Sequence, residues 1–271
     1  MNQLLKIGSN TQANLALRNL YRINNKVALH QERLSTGKRI NSAKDDAAGF
    51  ALAATLKERL SGMKIAKQNI QNAQSVLSIV EAGQQKSIEI LQNMREKMLR
   101  IQDSTLTTDQ RKSLLDQLTE LKSELTDIYN SVKWNSSSTL ADTTVTFQVG
   151  EESSDTFAVS ASMVQGSDFA AFASTSATAS STDITAIDSQ IDNAISFAQN
   201  TGSKIGRLSN KHDSMTTRIA TTESVRSTIE DADFAEEQME LIKAQIMQQT
   251  ATAALSQANT APQIVLQLFQ S

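Results

Sequence analysis

The chain has 271 residues, a formal net charge of −3, no cysteine, 39% hydrophobic residues and only 4% aromatic residues. The length allows one large domain or two modest ones. The negative net charge argues against a nucleic-acid partner, because binding nucleic acid needs a cationic surface. The lack of cysteine excludes disulfides and thiolate metal sites. An apolar fraction made of aliphatic residues and alanine is typical of closely packed long helices, not of an aromatic-lined pocket.

The chain also lacks the apolar stretches that general secretion and membranes require. Its first residues, MNQLLKIG, contain no uninterrupted apolar core of signal-peptide length. No later stretch is long and apolar enough to span a bilayer, so we expect no membrane partner.

The first predicted helix carries a narrow row of mostly apolar residues on one face. At alternating steps of three and four, the row comprises Ala13, Ala16, Leu20, Ile23, Val27, His30 and Leu34. Such a sustained narrow row indicates coiled-coil packing more than the broad apolar face of a globular helix. Residues 1–35 also carry five basic residues and one acidic residue, a local charge of +4.

Two further predicted helices and a β-hairpin follow. The second row comprises Met63, Ala66, Ile70, Ala73, Leu77, Val80, the polar Gln84 and Ser87, and then Leu91, Met94, Met98 and Ile101. The third row comprises Leu114, Leu118, Leu121, Leu125, Ile128 and Val132. Ser and Thr dominate residues 135–182, where two alternating stretches predict a small hairpin at about residues 143–163.

The last third of the chain returns to helical spacing. Its two rows comprise Ile184, Ile187, Ile191, Ala194, Ala198, Ile205, Leu208, His212, Met215 and Ile219, and then Ala232, Ala235, Met239, Ile242, Ile246 and Ala253. Residues 229–271 carry six acids and one base, a local charge of −5, so the two chain ends attract each other. We therefore predict a mainly α fold, a long antiparallel coiled-coil helical rod formed by the N- and C-terminal segments, with the small β-hairpin in the middle.

The final segment of the chain is uncharged. No residue after Lys243 carries a charge, which is unusual for a helix with a face in water and indicates enclosure by other protein. A membrane span is the competing interpretation, but the glutamines spread through this segment would be costly in hydrocarbon. Alanine-rich terminal helices are marginal in water, so we expect both ends to be largely disordered in the monomer and to fold on assembly.

No residue pattern predicts catalysis, a metal site or a cofactor. His30 and His212 lie in the helical rows, and neither has a second His or Cys at ligand spacing. We interpret both as packed or partly solvated helix histidines. No set of Ser, His and Asp is recognisable, and the chain lacks the loop material of a catalytic site.

Neither of two local motifs predicts a catalytic or phosphate-binding site. Asp45 and Asp46 precede an apolar run, where carboxylates cap a helix and meet its dipole. The segment around Gly37 resembles a phosphate-binding loop only faintly, because Glu32 and Arg39 occupy the positions of its first glycine and its Ser/Thr. We reject that interpretation.

Two sets of segments resemble the signatures of bacterial flagellins. Near the N-terminus the segment is LSTGKRINSAKDDAAG, residues 34–49; towards the C-terminus they are IEDADFA at 229–235, AQIMQQ at 244–249, QAN at 257–259 and PQIVLQL at 262–268. The resemblance covers roughly the first 135 and the last 90 residues. Two independent long motifs in the expected order are a specific signal.

The resemblance implies a structural subunit that polymerises into the bacterial flagellar filament for motility. Residues 1–40 with 228–271 would form an inner coiled-coil domain, and residues 41–227 would form the surrounding helical rod, with the outer variable domains absent. The polymerisation stripe implied for the inner domain comprises Leu20, Ile23, Val27, Leu34, Met239, Ile242, Ile246, Leu266 and Leu268.

The resemblance also implies partners and a location. The first partner is the chain itself, as a homopolymer. An export chaperone at the C-terminal helix and the filament cap and hook-junction proteins are the others, and no cofactor is implied. The expected location is the extracellular filament, reached through the flagellar export apparatus without a signal peptide.

A vertebrate innate receptor recognises flagellins that carry the stretch Leu-Gln-Arg-x-Arg-Glu-Leu, which corresponds here to LQNMREK at residues 91–97. The possible receptor contacts, including an acidic partner on the next helix, are Gln92, Arg95, Glu96 and Glu120. However, Asn93 replaces an arginine and Lys97 replaces a leucine. Losing a bidentate guanidinium and an apolar contact predicts poor receptor activation.

Two alternative functions remain at this point. A hook-filament junction protein has similar terminal helices, but it lacks the Gln-Ala-Asn-x-x-Pro-Gln run that this chain carries at residues 257–263. A coiled-coil signalling rod outside the family usually has a membrane helix or a charged tail, and this chain has neither. An enzyme is the least favoured interpretation.

Overall fold

The structure is a computed structural model that describes residues 10–134, 137–139, 144–169 and 181–270. Side chains are described for residues 10–134, 144–169 and 183–260. Its elements are α1 (Thr11–Thr36), α2 (Ala47–Ile101), α3 (Thr108–Ser131), β1 (Lys133–Trp134), β2 (Ser137–Thr139), β3 (Thr144–Gln148), β4 (Thr156–Ser160), a 3-10 turn (Gly166–Asp168), α4 (Ser181–Glu230) and α5 (Phe234–Gln270). The predicted mainly α fold with a small hairpin is confirmed. Among the described helices, none combines the length and hydropathy of a membrane span.

The chain divides into two compact units. Unit 1 combines the two chain ends, Met1–Glu58 and Thr221–Ser271, and unit 2 is the intervening segment Arg59–Ala220. The long helices α2 and α4 each contribute residues to both units. The predicted division at residues 40 and 228 stays a prediction.

Unit 1 contains an antiparallel pair of helices, α1 and α5. Asn10 Nδ2 donates a hydrogen bond to the carbonyl of Ala258 at 2.9 Å, and Gln248 Nε2 donates to Asn24 Oδ1 at 2.8 Å. Residues later in α1 therefore meet residues earlier in α5, which is the antiparallel arrangement expected from the sequence. The predicted α1 row is the half-buried face of this helix, Ala13, Ala16, Leu20, Ile23, Val27, His30 and Leu34.

The flagellin-like segment at residues 34–49 forms the turn between α1 and α2. Gly37 ends α1 in the left-handed region with φ 69°, a conformation that glycine adopts without a Cβ penalty. Arg39 then donates its backbone N–H to the carbonyl of Glu230 at 2.7 Å. Asp46 begins α2 by accepting from the backbone N–H groups of Ala48 and Gly49 at 3.1 and 3.0 Å.

The capping interpretation is thus confirmed for Asp46, whereas Asp45 has a different role. The Asp45 carboxylate accepts hydrogen bonds from the backbone N–H groups of Asn41 and Ser42, so Asp45 closes the loop before α2. These backbone hydrogen bonds, that from Ser42 first, lower the pKa of Asp45. A Cβ atom at Gly49 would lie 2.5 Å from Oδ2 of Asp46 and 2.7 Å from Cδ1 of Ile40, so a larger residue here would displace these side chains.

Unit 2 is built around the predicted row of α2. Every member of that row from Met63 to Ile101 is at most 2% exposed. The row contributes to two hydrophobic clusters, one containing Leu77 and Val159 and the other containing Met94 and Ile187. Along α2, the polar and buried Gln84 and Ser87 lie between the residues of the two clusters.

The predicted hairpin is present as β3 and β4, two antiparallel strands with Val145 opposite Val159 and Phe147 opposite Phe157. Glu151 in its turn accepts hydrogen bonds at 2.8 Å from Arg59 on α2 and Arg218 on α4. The hydrogen bond from Arg59 is the main cause that holds the pKa of Glu151 below its usual value. A second antiparallel pair, β1 with β2, was not predicted, because strands of two and three residues are too short to show alternation.

Candidate polymer interface on the terminal helices

A buried carboxylate connects the two helices of unit 1. Glu237, in the first turn of α5, is only 8% exposed. Its Oε1 accepts from Arg33 Nη1 at 2.9 Å, and its Oε2 lies 2.5 Å from His30 Nδ1. Burial acts to raise the pKa of Glu237, but the hydrogen bonds from His30 and Arg33 outweigh it, so the pKa lies below its usual value.

This charged cluster adjoins a second ion pair at the turn. Lys38 Nζ lies 2.5 Å from Oε1 of Glu230, at the end of α4. The two chain ends therefore meet through two specific pairs, Arg33 with Glu237 and Lys38 with Glu230. Such pairs set the register of two helices even when their net energy is small.

The face of α5 that meets α1 differs from the predicted row. The buried and half-buried residues of α5 recur at steps of three and four and include Glu237, Leu241, Ala244, Gln248, Ala251, Leu255 and Ala258. Met239, Ile242 and Ile246 of the predicted stripe are instead 65%, 47% and 58% exposed. Within one chain, the predicted rows of α1 and α5 therefore do not face each other.

The physical reason is that the row that meets α1 contains a charged and a polar residue, Glu237 and Gln248, so a search for apolar periodicity selects the row of Met239, Ile242 and Ile246 instead. The polar anchors Glu237 and Gln248 select the row that meets α1, since each has its partner on that helix. The role of Met239, Ile242 and Ile246 in polymerisation stays a prediction. The backbone of α5 includes Leu266 and Leu268. Their side chains lie outside the described part of the structure, so their predicted place in the stripe is not tested.

The exposed row of α5 forms a shallow apolar groove. The groove is lined by Met239, Ile242, Lys243, Ile246 and Met247. The exposed Phe234 begins the same helix, and Leu15, Leu17 and Tyr21 are exposed on α1. The groove on α5 is a contiguous apolar surface, and such a surface marks a site of protein association.

The predicted receptor contacts lie in unit 2. Arg95 Nε donates to Asp188 Oδ1 at 2.5 Å, and Glu96 accepts from Arg100 at 2.6 Å, so both are engaged within the chain. Gln92 and Glu120 are exposed. Lys97 Nζ donates to Gln117 Oε1 at 2.6 Å. Their part in receptor binding stays a prediction.

The described residues contain no group of three or more His, Asp or Glu side chains that could hold a metal ion. His30 is the partner of Glu237. His212 lies 3.4 Å from Asp213 and from Gln71 Nε2, on the partly exposed side of α4. Both histidines therefore have the helix-packing environments expected from the sequence.

Family models match both ends of the chain. The bacterial flagellin N-terminal helical region matches residues 7–145, and the bacterial flagellin C-terminal helical region matches residues 184–269. Both matches include the signature segments quoted above.

Curated relatives match along nearly the whole length. The flagellin of Halalkalibacterium halodurans is 31% identical over 245 residues, covering 88% of this chain and 90% of that protein. The flagellin of Listeria innocua is 30% identical over 263 residues, covering 89% and 91%. Flagellin FljM of Caulobacter vibrioides is 30% identical over 274 residues, covering 98% and 99%.

Solved structures include a flagellar hook-associated protein from Vibrio parahaemolyticus, which shares the fold with a TM-score of 0.58 at 15% identity and covers 69% of this chain and 100% of that chain. A crystal structure of Bacillus cereus flagellin has a TM-score of 0.49 at 22% identity and covers 55% and 88%. The family models and the relatives at about 30% identity show that the chain belongs to the bacterial flagellins, structural proteins that polymerise into the extracellular flagellar filament and meet its hook-associated proteins.

Proposed function

We propose that this chain builds the flagellar filament by burying the exposed apolar row of α5 against neighbouring copies. The observation that carries the proposal is that Met239, Ile242 and Ile246 are about half exposed or more while the other side of α5 is occupied by α1. Fully burying an exposed aliphatic side chain contributes about 2 kcal/mol, so completing the burial of a half-exposed one contributes about 1 kcal/mol. Three such residues in each subunit supply a substantial part of an association energy.

The proposal includes the layered arrangement expected from the sequence, with residues 1–40 and 228–271 innermost and residues 41–227 around them. It is supported by the composition of unit 1, which joins both chain ends, and by the absence of charge after Lys243. A segment without charges is best accommodated where other protein surrounds it. A filament subunit is favoured over a junction protein, because the matching relatives are flagellins. The matches cover about 90% of this chain and about 90% of each relative.

We also propose that an export chaperone covers the C-terminal helix before assembly. An exposed apolar row promotes non-specific association, so a subunit needs this surface covered until it reaches the filament. The role we propose is purely structural, without catalysis. Activation of the innate receptor is expected to be weak, since Asn93 and Lys97 depart from the receptor motif and Arg95 is engaged by Asp188.

The test is seeded polymerisation of the full-length chain carrying Ile242→Glu and Ile246→Glu. Filament fragments serve as seeds, and electron microscopy and sedimentation measure growth. We expect the unchanged chain to form long uniform tubes and the double variant to remain unpolymerised, because buried unpaired carboxylates oppose association. Ala51→Glu with Ala54→Glu, two exposed aliphatic-to-acid changes on α2 in the same unit, is the matched control. Normal filaments from the double variant would contradict the proposal.

A further inference from the structure

We propose that three buried polar side chains specify the axial register of α4 on α2: Gln84, Ser87 and Thr201, here called the polar layer. All three lie in unit 2, between aliphatic residues that would otherwise allow the two helices to slide past each other. The polar layer acts within one folded chain, so it is independent of the polymer contact proposed for α5. Its role can therefore fail in the monomer while the proposed function stands.

The buried rows of both helices are regular repeats. On α2, the row from Met63 to Ile101 advances at strict steps of three and four, and every member is at most 2% exposed. On α4, the buried residues recur every seven positions and are at most 3% exposed: Ile187, Ala194, Thr201, Leu208 and Met215. A side chain in such a repeat meets similar neighbours after a slide of one heptad, so aliphatic rows specify register only weakly.

The two helices run antiparallel in one constant register. Gln71 Nε2 lies 3.4 Å from Nε2 of His212, and Arg95 Nε donates to Asp188 Oδ1 at 2.5 Å. The step from Gln71 to Arg95 along α2 is 24 residues, and the step from His212 back to Asp188 along α4 is also 24 residues. Each position of α2 between these two contacts therefore has a defined partner position on α4.

The polar layer interrupts both repeats at the same level. In this register, Gln84 lies within one turn of Thr201, and Ser87 occupies the next core position of α2. On one side of Thr201, α4 contributes Leu208 to one hydrophobic cluster. On the other side, α4 contributes Ile187 to the second cluster. The polar layer thus marks the level at which the core of unit 2 changes from one cluster to the other.

Hydrogen bonds connect this level of both helices to the segment that follows β4. Gln84 Nε2 donates to the carbonyl of Ser162 at 2.9 Å. From α4, Lys204 Nζ donates to the carbonyl of Ser160 at 2.5 Å. The same short segment therefore contacts α2 and α4, and a slide of either helix would break one of these hydrogen bonds.

A slide would also leave buried polar groups in aliphatic surroundings. Oε1 of Gln84 is already buried without a hydrogen-bond partner among the described residues. Moving α4 by one heptad would bring Ala194 or Leu208 to the level of Gln84 and would place Thr201 among aliphatic residues of α2. Burying a polar group without a hydrogen bond is costly, so the native register is favoured over its neighbours. A single polar position in a coiled coil specifies register in this way, at a cost in stability.

The exposed ion pairs of α4 are weaker determinants of register. In the pair of Arg95 with Asp188 the side chains are 44% and 43% exposed, and Arg218, which pairs with Glu151, is 47% exposed. Exposed pairs contribute little, because water screens them. The residues of the polar layer are at most 3% exposed, so their displacement costs more than the loss of either pair.

Apolar substitutions in the full-length chain test the role of the polar layer. The layer variant removes the polar groups and nearly preserves side-chain size, with Gln84→Met, Ser87→Ala and Thr201→Val. The matched control carries the same three replacements at exposed positions of the same helices: Gln85→Met, Ser78→Ala and Thr216→Val.

Spin labels report the register directly. The chain has no cysteine, so Asn72→Cys and Asn193→Cys, at exposed positions of α2 and α4, introduce unique labelling sites. Pulsed double electron–electron resonance measures the distance between the labels in the monomer. We expect one distance in the unchanged chain and in the control. In the layer variant we expect a second distance, displaced by about 5 Å for a slide of one turn or about 10 Å for a slide of one heptad.

Two outcomes would overturn the inference. One is a single, unchanged distance in the layer variant, which would mean that the aliphatic rows specify the register without the polar layer. The other is a layer variant that does not fold, as measured by circular dichroism, because the polar layer would then supply stability and not register.

A second measurement needs no substitution in the layer. NMR hydrogen exchange compares the side-chain amide of Gln84 with that of Gln85, which is exposed and next in sequence. Because Ser162 holds the amide of Gln84 in one register, we expect its protons to exchange at least about tenfold more slowly. Equal exchange rates would show that Gln84 does not keep this hydrogen bond, and the inference would fail.

Discussion

At the scale of single residues, Glu237 shows how one carboxylate selects the register of two apolar helices. It is a charged residue in a buried position. Removing its charge, or removing its partners, leaves a buried charge without a counter-charge. His30 and Arg33, one turn apart on α1, both approach it. The register of α1 on α5 therefore depends on a specific charged cluster and not on the aliphatic row alone.

Replacing Glu237 with Gln is expected to destabilise the α1–α5 pair by about 2 kcal/mol at neutral pH, because Arg33 loses a buried counter-charge. The folded pKa of Glu237 is lowered, so its stabilisation is present above the unfolded pKa and is lost as the pH falls through the folded pKa. Circular dichroism and sedimentation of assembled filaments, in which the pair is folded, measure this loss between pH 7 and pH 3. Glu236→Gln, exposed and next in sequence, is the control, and an identical acid profile for Glu237→Gln and the unchanged chain would contradict the explanation.

At the scale of elements, α2 combines a strict row of buried side chains with one position where another segment approaches its backbone. Gly83 lies at that position. A Cβ atom there would be 2.5 Å from Cγ2 of Val132 and 3.0 Å from Cε of Met163. Gly206 lies within α4, and a Cβ atom there would meet nothing within 4 Å.

These two helical glycines should respond to alanine in opposite directions. Gly206→Ala is expected to raise the free energy of unfolding by about 0.5–1 kcal/mol, through helix propensity. Gly83→Ala gains the same propensity but overpacks the core, at a cost of about 1–3 kcal/mol, so we expect a net loss. Urea unfolding followed by circular dichroism measures both. A stabilised Gly83→Ala variant would show that α2 and its neighbours separate more easily than the contacts indicate.

At the scale of the whole molecule, the two units differ in how much they bury. In unit 2, the α2 row belongs to two hydrophobic clusters. In unit 1, α1 contains no buried residue among those described, and its contact with α5 is half-buried and alanine-rich. Helices with so little buried surface depend on further packing for their stability.

Amide hydrogen exchange should therefore distinguish the units in the monomer. We expect fast exchange at Leu20 in α1 and at Ile246 in α5, and slow exchange at Leu77 and Met94 in α2. On polymerisation, exchange in α1 and α5 should slow by orders of magnitude, while exchange in α2 changes little. Equally slow exchange at Leu20 and Ile246 in dilute monomer and in filaments would contradict assembly-dependent folding.

Much of the fold could be predicted from periodicity. The α2 row is buried at every predicted position, including the polar Gln84 and Ser87, because a helix of this length can present one face to a partner only at steps of three and four. The row on α4 omitted Thr201, which is also buried, since a threonine gives no apolar signal. The hairpin was predictable from the alternation around Phe147 and Phe157.

The candidate site was predictable only in part. The sequence by itself determined the helical rows, the opposite charges of the chain ends and the signature segments that the family comparisons match. Tertiary structure alone decided which side of α5 meets α1, through Glu237 and Gln248. The physical reason is that periodicity identifies a contact face by its apolar residues, whereas the face of α5 that meets α1 is anchored by a charged and a polar side chain whose partners on α1 only the tertiary structure brings close.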